Sequence, residues 1–423
     1  MHKYRALAVL FYCSSIFAQS GTGLTSVVDV GQALSVQCPA SVGDGISDDS
    51  TAFQCHADYL SSAVNGYKGG RLHIPAGIFY LSRTFVVPEN LMVQGVGDGS
   101  VLRQKHSLLQ PLVKLQRHSQ LKNVKLIQEQ PAPTAGWSPY MDYDFQLQVA
   151  GDAVNVEDIV ILNPTKGILV RSDRFPNDDG AIGQVYIRNV RGQPLYQGIY
   201  MDGILDICRI NDIHFWPFWS LDQNVTNWTA SNGYGILSFR NDNPFMSELF
   251  TFGYFVGMQF GVTPTPLPPG NQGNVVGFTS RARISGYDCD GCTTGVLISG
   301  NGTNGIEIDK VQILSRGPYS YSPITINASH VSASISKLDT TLSTVNAVRI
   351  DGDYNSILIS DSLIRTWNVN GLGFPAFEIA SGPNSVLQIS NTLYGDGHGA
   401  LVSRAIQGTV VINGVTHAPG VVQ

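Results

Sequence analysis

The stretch "VEDIVILNPTKGILVR" (residues 156–171) decides the fold once it is set under "IRNVRGQPLYQGIYMDG" (187–203) and "MSELFTFGYFVGMQFG" (246–261). In each, an apolar residue (Ile159, Val190 or Leu249) is followed eight positions later by a glycine (Gly167, Gly198 or Gly257) and then by an alternating strand. Weaker copies stand at "GVLISG" (295–300), "AVRIDG" (347–352) and "AFEIASG" (376–382). Each unit is too short to bury its own apolar face and lacks helical periodicity, so the units must stack. Stacked short strands make parallel sheets about 4.8 Å apart per coil, with Ile, Val and Leu facing a continuous core. An antiparallel sandwich would instead carry regular two-residue hairpin signals, and these are sparse. The fold class is therefore read as all-β, a parallel solenoid.

Composition agrees. Charged residues are 14% of 423 and glycines number 45, which suits many short strands and tight turns. The N-terminus "MHKYRALAVLFYCSSIFAQS" pairs Lys3 and Arg5 with an apolar run from Ala6 to Phe17 and the small residue Ala18, the pattern of a signal peptide over 1–18. The run is too short to span a membrane, and no later stretch is long and apolar enough to do so, so neither a membrane span nor a lipid anchor is predicted. Removing 1–18 deletes two cations and no acids, taking the formal charge from −6 to −8. An acidic chain without basic runs argues against nucleic acid as a partner. In an oxidising compartment, Cys38 with Cys55 and Cys289 with Cys292 are the expected bridges, leaving Cys208 as a buried thiol. The "CDGC" pair has no second CxxC to join it, so neither a metal site nor a cofactor is expected.

A column of Asn123, Asp158, Asn189, Asp212 and Glu248 runs just before the apolar position, one per coil. The asparagines read as stacked amides. Asp212 and Glu248 fit such a column less well and are secondary functional candidates.

Near the mature N-terminus stand "VGDGISDDSTAFQCHADYL" (42–60) and "GGRLHIPAGIFYLSRTFVVPENLMVQGVGDGSVLRQ" (69–104). Together they resemble the opening of the pectate-lyase superfamily, seen in polygalacturonase-like hydrolases and phage tailspike depolymerases. The resemblance covers about 40–105 and implies a single-stranded right-handed parallel β-helix over 19–423, with a short N-terminal capping helix. It also implies work on carbohydrate and raises a homotrimer as a possible assembly. In the first motif, Asp48, Asp49 and Ser50 offer acceptors to the free N–H groups of a helix start, a structural role. The catalytic motifs of the polygalacturonases are not matched. "NDDG" (177–180) imitates one, but "GDGHG" (395–399) lies many coils away, so His398 cannot join Asp179.

After Ile213 the expected glycine comes only at Gly235, so fourteen residues have been inserted at one corner. Three coils earlier a second insertion, "EQPAPTAGWSPYMDYDF" (129–145), leaves the same corner. Solenoids place such insertions on one face, often the binding face. Trp216, Trp219, Trp228, Trp137 and Tyr140 are predicted to offer flat faces to sugar rings, the alternative being that some fold back as a mini-core under their own loop. "NVT" and "NWT" are glycosylation acceptors in a source that makes N-glycans.

Alternation places Tyr200 and Asp202 outward, with Arg171 one coil earlier; Asp178 and Asp179 lie in the corner between, and Arg240, Asp242 and Glu248 follow. Glycoside hydrolysis needs two carboxyls, so Asp202 with Asp179 is the expected pair, and Asp178, Asp242 or Glu248 the substitutes. Tyr200, Arg171, Arg240 and His214 join the candidate substrate-binding set. Three functions stay open: a secreted glycoside hydrolase, a polysaccharide lyase of the same fold, or a non-catalytic glycan-binding surface protein.

Overall fold

The computed structural model describes residues 27–34, 38–62, 69–177, 180–264, 276–315, 321–403 and 405–419. The expected signal peptide and the candidates Asp178 and Asp179 lie outside the described residues.

Three parallel sheets wind round one core. The first is a column of eleven short strands, among them Leu147–Val149, Lys166–Val170, Gln197–Met201, Tyr234–Ser238, Val256–Phe260 and Thr294–Ile298. The second is built of longer strands, including Gln120–Gln128, Asn155–Ile161, Tyr186–Gly192, Arg209–Phe215, Phe245–Phe252, Arg283–Cys292, Ile306–Ser315 and Ser332–Thr341. A third, of four two- or three-residue strands, includes Ile204–Asp206 and Asn241–Asp242. Among the described strands, only the closing pair Thr409–Ile412 and Val415–His417 is antiparallel.

The repeat read from the sequence is the coil. Ile159, Val190, Ile213 and Leu249 pair in register on successive long strands and are all buried in one contiguous core. Gly167, Gly198, Gly235 and Gly257 occupy the second position of successive short strands. The column before the apolar position has a conformational cause. Asn123, Asp158, Asn189, Asp212 and Glu248 have φ of 53, 55, 48, 55 and 53°, in the left-handed region that asparagine and aspartate enter more readily than most residues. One such residue resets the strand's alternation, so that Ile210 and Ile213, three apart, both face the core and the strand turns onto a new face. Gly286, Lys310 and Lys337 continue the column, so backbone shape and not a run of amides defines it.

The capping helix α1, Ser50–Ser61, buries Phe53, His56, Ala57 and Leu60 over the open end of the core. Asp48 accepts the Ser50 N–H at 3.0 Å, while Asp49 turns back to accept N–H groups of Val42 and Gly43 at 2.6 and 3.2 Å. The acids of this motif are thus structural. Cys38–Cys55 ties α1 to the preceding loop, Cys289–Cys292 closes within one long strand, and Cys208 is a buried thiol. Mass-based thiol counting on denatured protein lacking residues 1–18 is expected to find one reactive thiol. Cys38→Ser should cost about 3 kcal/mol of stability, the scale for a loop of this length; three thiols in the unreduced protein would refute the pairing.

Candidate functional site

Asp202 directly follows the short strand Gln197–Met201, at the edge where the first sheet passes to the third. Its backbone N–H donates to Val170 O at 3.1 Å, which fixes the carboxyl beside the preceding coil. Oδ1 accepts the Arg240 N–H at 3.2 Å from the next coil and the Thr263 hydroxyl at 2.7 Å from the one after. Oδ2 is buried with no hydrogen-bond partner. Burial pushes the carboxyl up from the ordinary aspartate value to about 6, against the Thr263 and Arg240 hydrogen bonds and the attraction of Arg171. The expectation that Asp202 stands open on the outer face is thus corrected. The residue is fully buried, and Phe145, Leu169, Tyr200, Leu237 and Phe239 form a buried cluster of their own, separate from the main core. Tyr200 belongs to that cluster and is correspondingly not an open sugar platform.

Arg171 packs its guanidinium against the rings of Phe175 and Tyr200, 5.2 and 5.8 Å from their centroids. Arg240 links two carboxyls: its N–H holds Asp202, and its guanidinium pairs with Asp242, whose Oδ1 also accepts the Ser280 hydroxyl at 2.6 Å. A cavity of about 490 Å³ lined by Arg240, Asp242, Phe278, Ser280, Arg281 and Asn304 opens beside this pair. Arg171, Tyr200, Asp202, Arg240 and Asp242 therefore do gather at one edge. Among the described residues no group of three or more His, Cys, Asp or Glu is arranged to hold a metal ion.

The other candidates lie elsewhere. Trp137, Trp219 and Trp228 fold inward with Leu195 and Val225 into a separate small core. The Trp137 ring centroid is 6.2 Å from those of Trp219 and Trp228, and its indole N–H donates to Pro131 O at 2.9 Å. The two insertions thus clasp each other instead of standing apart as walls, and the aromatic faces are spent on mutual burial. The signal for this was helical spacing: Val225, Trp228 and Thr229 share one face of α2, Gln223–Asn232, whose N-cap Asp222 accepts the Asn224 N–H at 2.8 Å. Tyr140 stacks on His106 at 3.7 Å, and Trp216 leans on Phe252 at 4.3 Å. His214, Asp212 and Glu248 are exposed on the outer side of the long strands and line a cavity of about 330 Å³ there, on a different sheet from Asp202. Glu248 is therefore not a substitute partner for Asp202. Trp137→Ala is expected to lower stability by about 3 to 5 kcal/mol, as for truncation of a buried tryptophan, with Trp219 and Trp228 fluorescence shifting red; an unchanged denaturation midpoint would contradict the mini-core.

Comparison with known structures places the architecture. The chain aligns over 92% of its length with 79% of a mutant tailspike protein of E. coli bacteriophage HK620 in complex with a pentasaccharide, at TM-score 0.55 and 10% identity. It aligns over 94% of its length with the pre-mature bacteriophage phi29 gene product 12 at TM-score 0.53 and 14% identity, spanning 58% of that protein. The chain is a right-handed parallel β-helix. No family model matches this β-helix, and no curated protein matches it in sequence. At these identities the likeness is one of fold.

Proposed function

We propose that this β-helix is a secreted carbohydrate-active protein that hydrolyses a polysaccharide, with Asp202 as the general acid. One observation carries the reading: a carboxyl shielded from water, with one oxygen unmatched and its pKa raised to about 6, sits at an edge shared with Arg171, Arg240 and Asp242. A carboxyl that keeps its proton near pH 6 is what protonation of a leaving glycosidic oxygen requires. Asp242, joined to Asp202 through Arg240, is the second carboxyl within the described residues, and Asp179 remains the partner proposed from the sequence. Thr263 holds Oδ1, so it is the unmatched, buried Oδ2 that the leaving oxygen of a bound sugar must reach. The saccharide complex of the HK620 tailspike supports carbohydrate as the substrate class for this fold, and the two disulfides support an oxidising, extracellular setting.

The test is incubation of the purified protein with a broad polysaccharide panel, scoring new reducing ends and ultraviolet-absorbing unsaturated products. Reducing ends without unsaturation are expected. Unsaturated products would replace hydrolase with lyase, and binding without new ends would leave a glycan-binding protein.

A further inference from the structure

The outer face of the long strands carries a groove that the chemistry at Asp202 does not use. It has a volume of about 790 Å³ and crosses six successive strands, from Tyr186 to Ser334. At about 4.8 Å per strand its length is about 24 Å, the scale of an oligosaccharide and not of one sugar. Register explains its shape. Tyr186, Arg209, Phe245, Arg283 and Glu307 pair in sequence across the strands and form one wall. Two residues further along each strand, Asn211, Ser247 and Ser285 pair in the same way. These short side chains make the floor, and Asn211 holds the Ser247 hydroxyl at 2.6 Å. The groove exists because small polar residues fill three successive outward positions between longer ones.

The wall alternates flat ring and cation. Phe245 is 37% exposed, and the Arg209 and Arg283 guanidinium carbons lie 6.0 and 5.6 Å from its ring centroid. Arg188 likewise sits 5.6 Å from the Tyr186 centroid. Arg283 makes only a loose, exposed 3.5 Å contact with Glu307, and Arg209 is exposed without an ion pair among the described residues. Asp309 is instead engaged by Lys337 and Ser336 at 3.0 and 2.8 Å. An exposed ring suits the C–H face of a sugar, and the forked guanidiniums on either side suit a carboxylate carried by it.

We propose that this groove is a second, non-catalytic binding site for an acidic oligosaccharide, a chain of uronate-bearing rings. One sugar ring lies on Phe245 while Arg209 and Arg283 take its carboxylate, and the serine and asparagine floor accepts and donates to ring hydroxyls. The site is on a different sheet from Asp202 and is expected to work whether or not hydrolysis occurs there.

The probes are tetragalacturonate, a hyaluronan tetrasaccharide and neutral cellotetraose, titrated into the Asp202→Asn protein so that none is consumed. At least one acidic probe should bind, with affinity above that of cellotetraose and falling as salt rises. Phe245→Ala and Arg209→Gln, each added to Asp202→Asn, should weaken it by roughly tenfold. Ser247→Arg should block it by filling the floor, and serves as the deciding variant should Phe245→Ala alter the thermal midpoint. Binding of an acidic probe that survives both Ser247→Arg and Arg209→Gln, cellotetraose binding as well as the acidic probes, or no binding of any probe would overturn the site. Reducing-end assays on the unsubstituted protein report on Asp202 separately, so failure of one reading is distinguishable from failure of the other.

Discussion

Gly198→Val is expected to cost more than about 4 kcal/mol and to leave little folded protein, a magnitude reserved for substitutions that force the backbone apart. Gly198 sits in a column with Gly167, Gly235 and Gly257 at the second position of successive short strands. A Cβ at Gly198 would overlap the carbonyl oxygen of Gly235 and come to 2.5 Å from the Phe215 ring. A Cβ at Gly167 would meet Gly198 O in the same way, and one at Gly235 would stand 2.6 Å from Gly257 O. Neither obstacle at Gly198 can yield cheaply: one is the backbone of the next coil, the other a ring with no exposed surface in the core. Valine adds two further carbons to that clash. Gly99→Ala is the control, because its Cβ would meet nothing nearer than 3.5 Å and φ there is not positive. Urea denaturation should show Gly99→Ala close to the parent and Gly198→Val unfolded or nearly so; a parental midpoint for Gly198→Val would refute the close-approach argument.

That column is also the reason the fold was legible. In the middle coils a position closely approached by the next coil is glycine each time, Gly167, Gly198, Gly235 and Gly257, and the recurring apolar residue before it prints the core. The left-handed residue between them was visible as Asn, Asp and Glu, but its cause was not, since a φ near 50° leaves no mark that separates it from a ladder of amides. Glu248, and Lys310 beyond it, show that the conformation is imposed by neighbouring coils and not chosen by the residue. The site was less legible because the sequence gives direction without cover. Alternation turned Tyr200 away from the main core, but the second apolar layer to which it belongs is assembled from residues on several coils. The tryptophans misled for a related reason. Two insertions, separate in sequence, find each other in space, and aromatic surface that one loop alone would expose is buried by the other.

Asp202→Asn is expected to reduce hydrolysis by about 10² to 10⁴, the contribution of a positioned general acid. The pH dependence makes the test specific. A general acid acts protonated, so kcat/KM of the parent should fall on the alkaline side with an apparent pKa near 6, the value to which burial raises this carboxyl. The residual activity of the Asn variant should lack that limb. Thr263→Val removes a hydrogen bond that favours the ionised form, so the limb should move to higher pH. Stability supplies an independent reading. Because the folded-state pKa lies above the unfolded one, the contribution of Asp202 is fully present below about pH 4 and is lost as pH rises through about 6. Relative to Asp202→Asn, the parent should lose about 2 kcal/mol between pH 4 and pH 7. A parent whose stability relative to the variant is flat across this window would show that the carboxyl is not held neutral by its surroundings. A fully active Asp202→Asn protein with a normal thermal midpoint would remove the residue from the mechanism, whatever its pKa, since an amide in that position has no proton to give to a departing glycosidic oxygen.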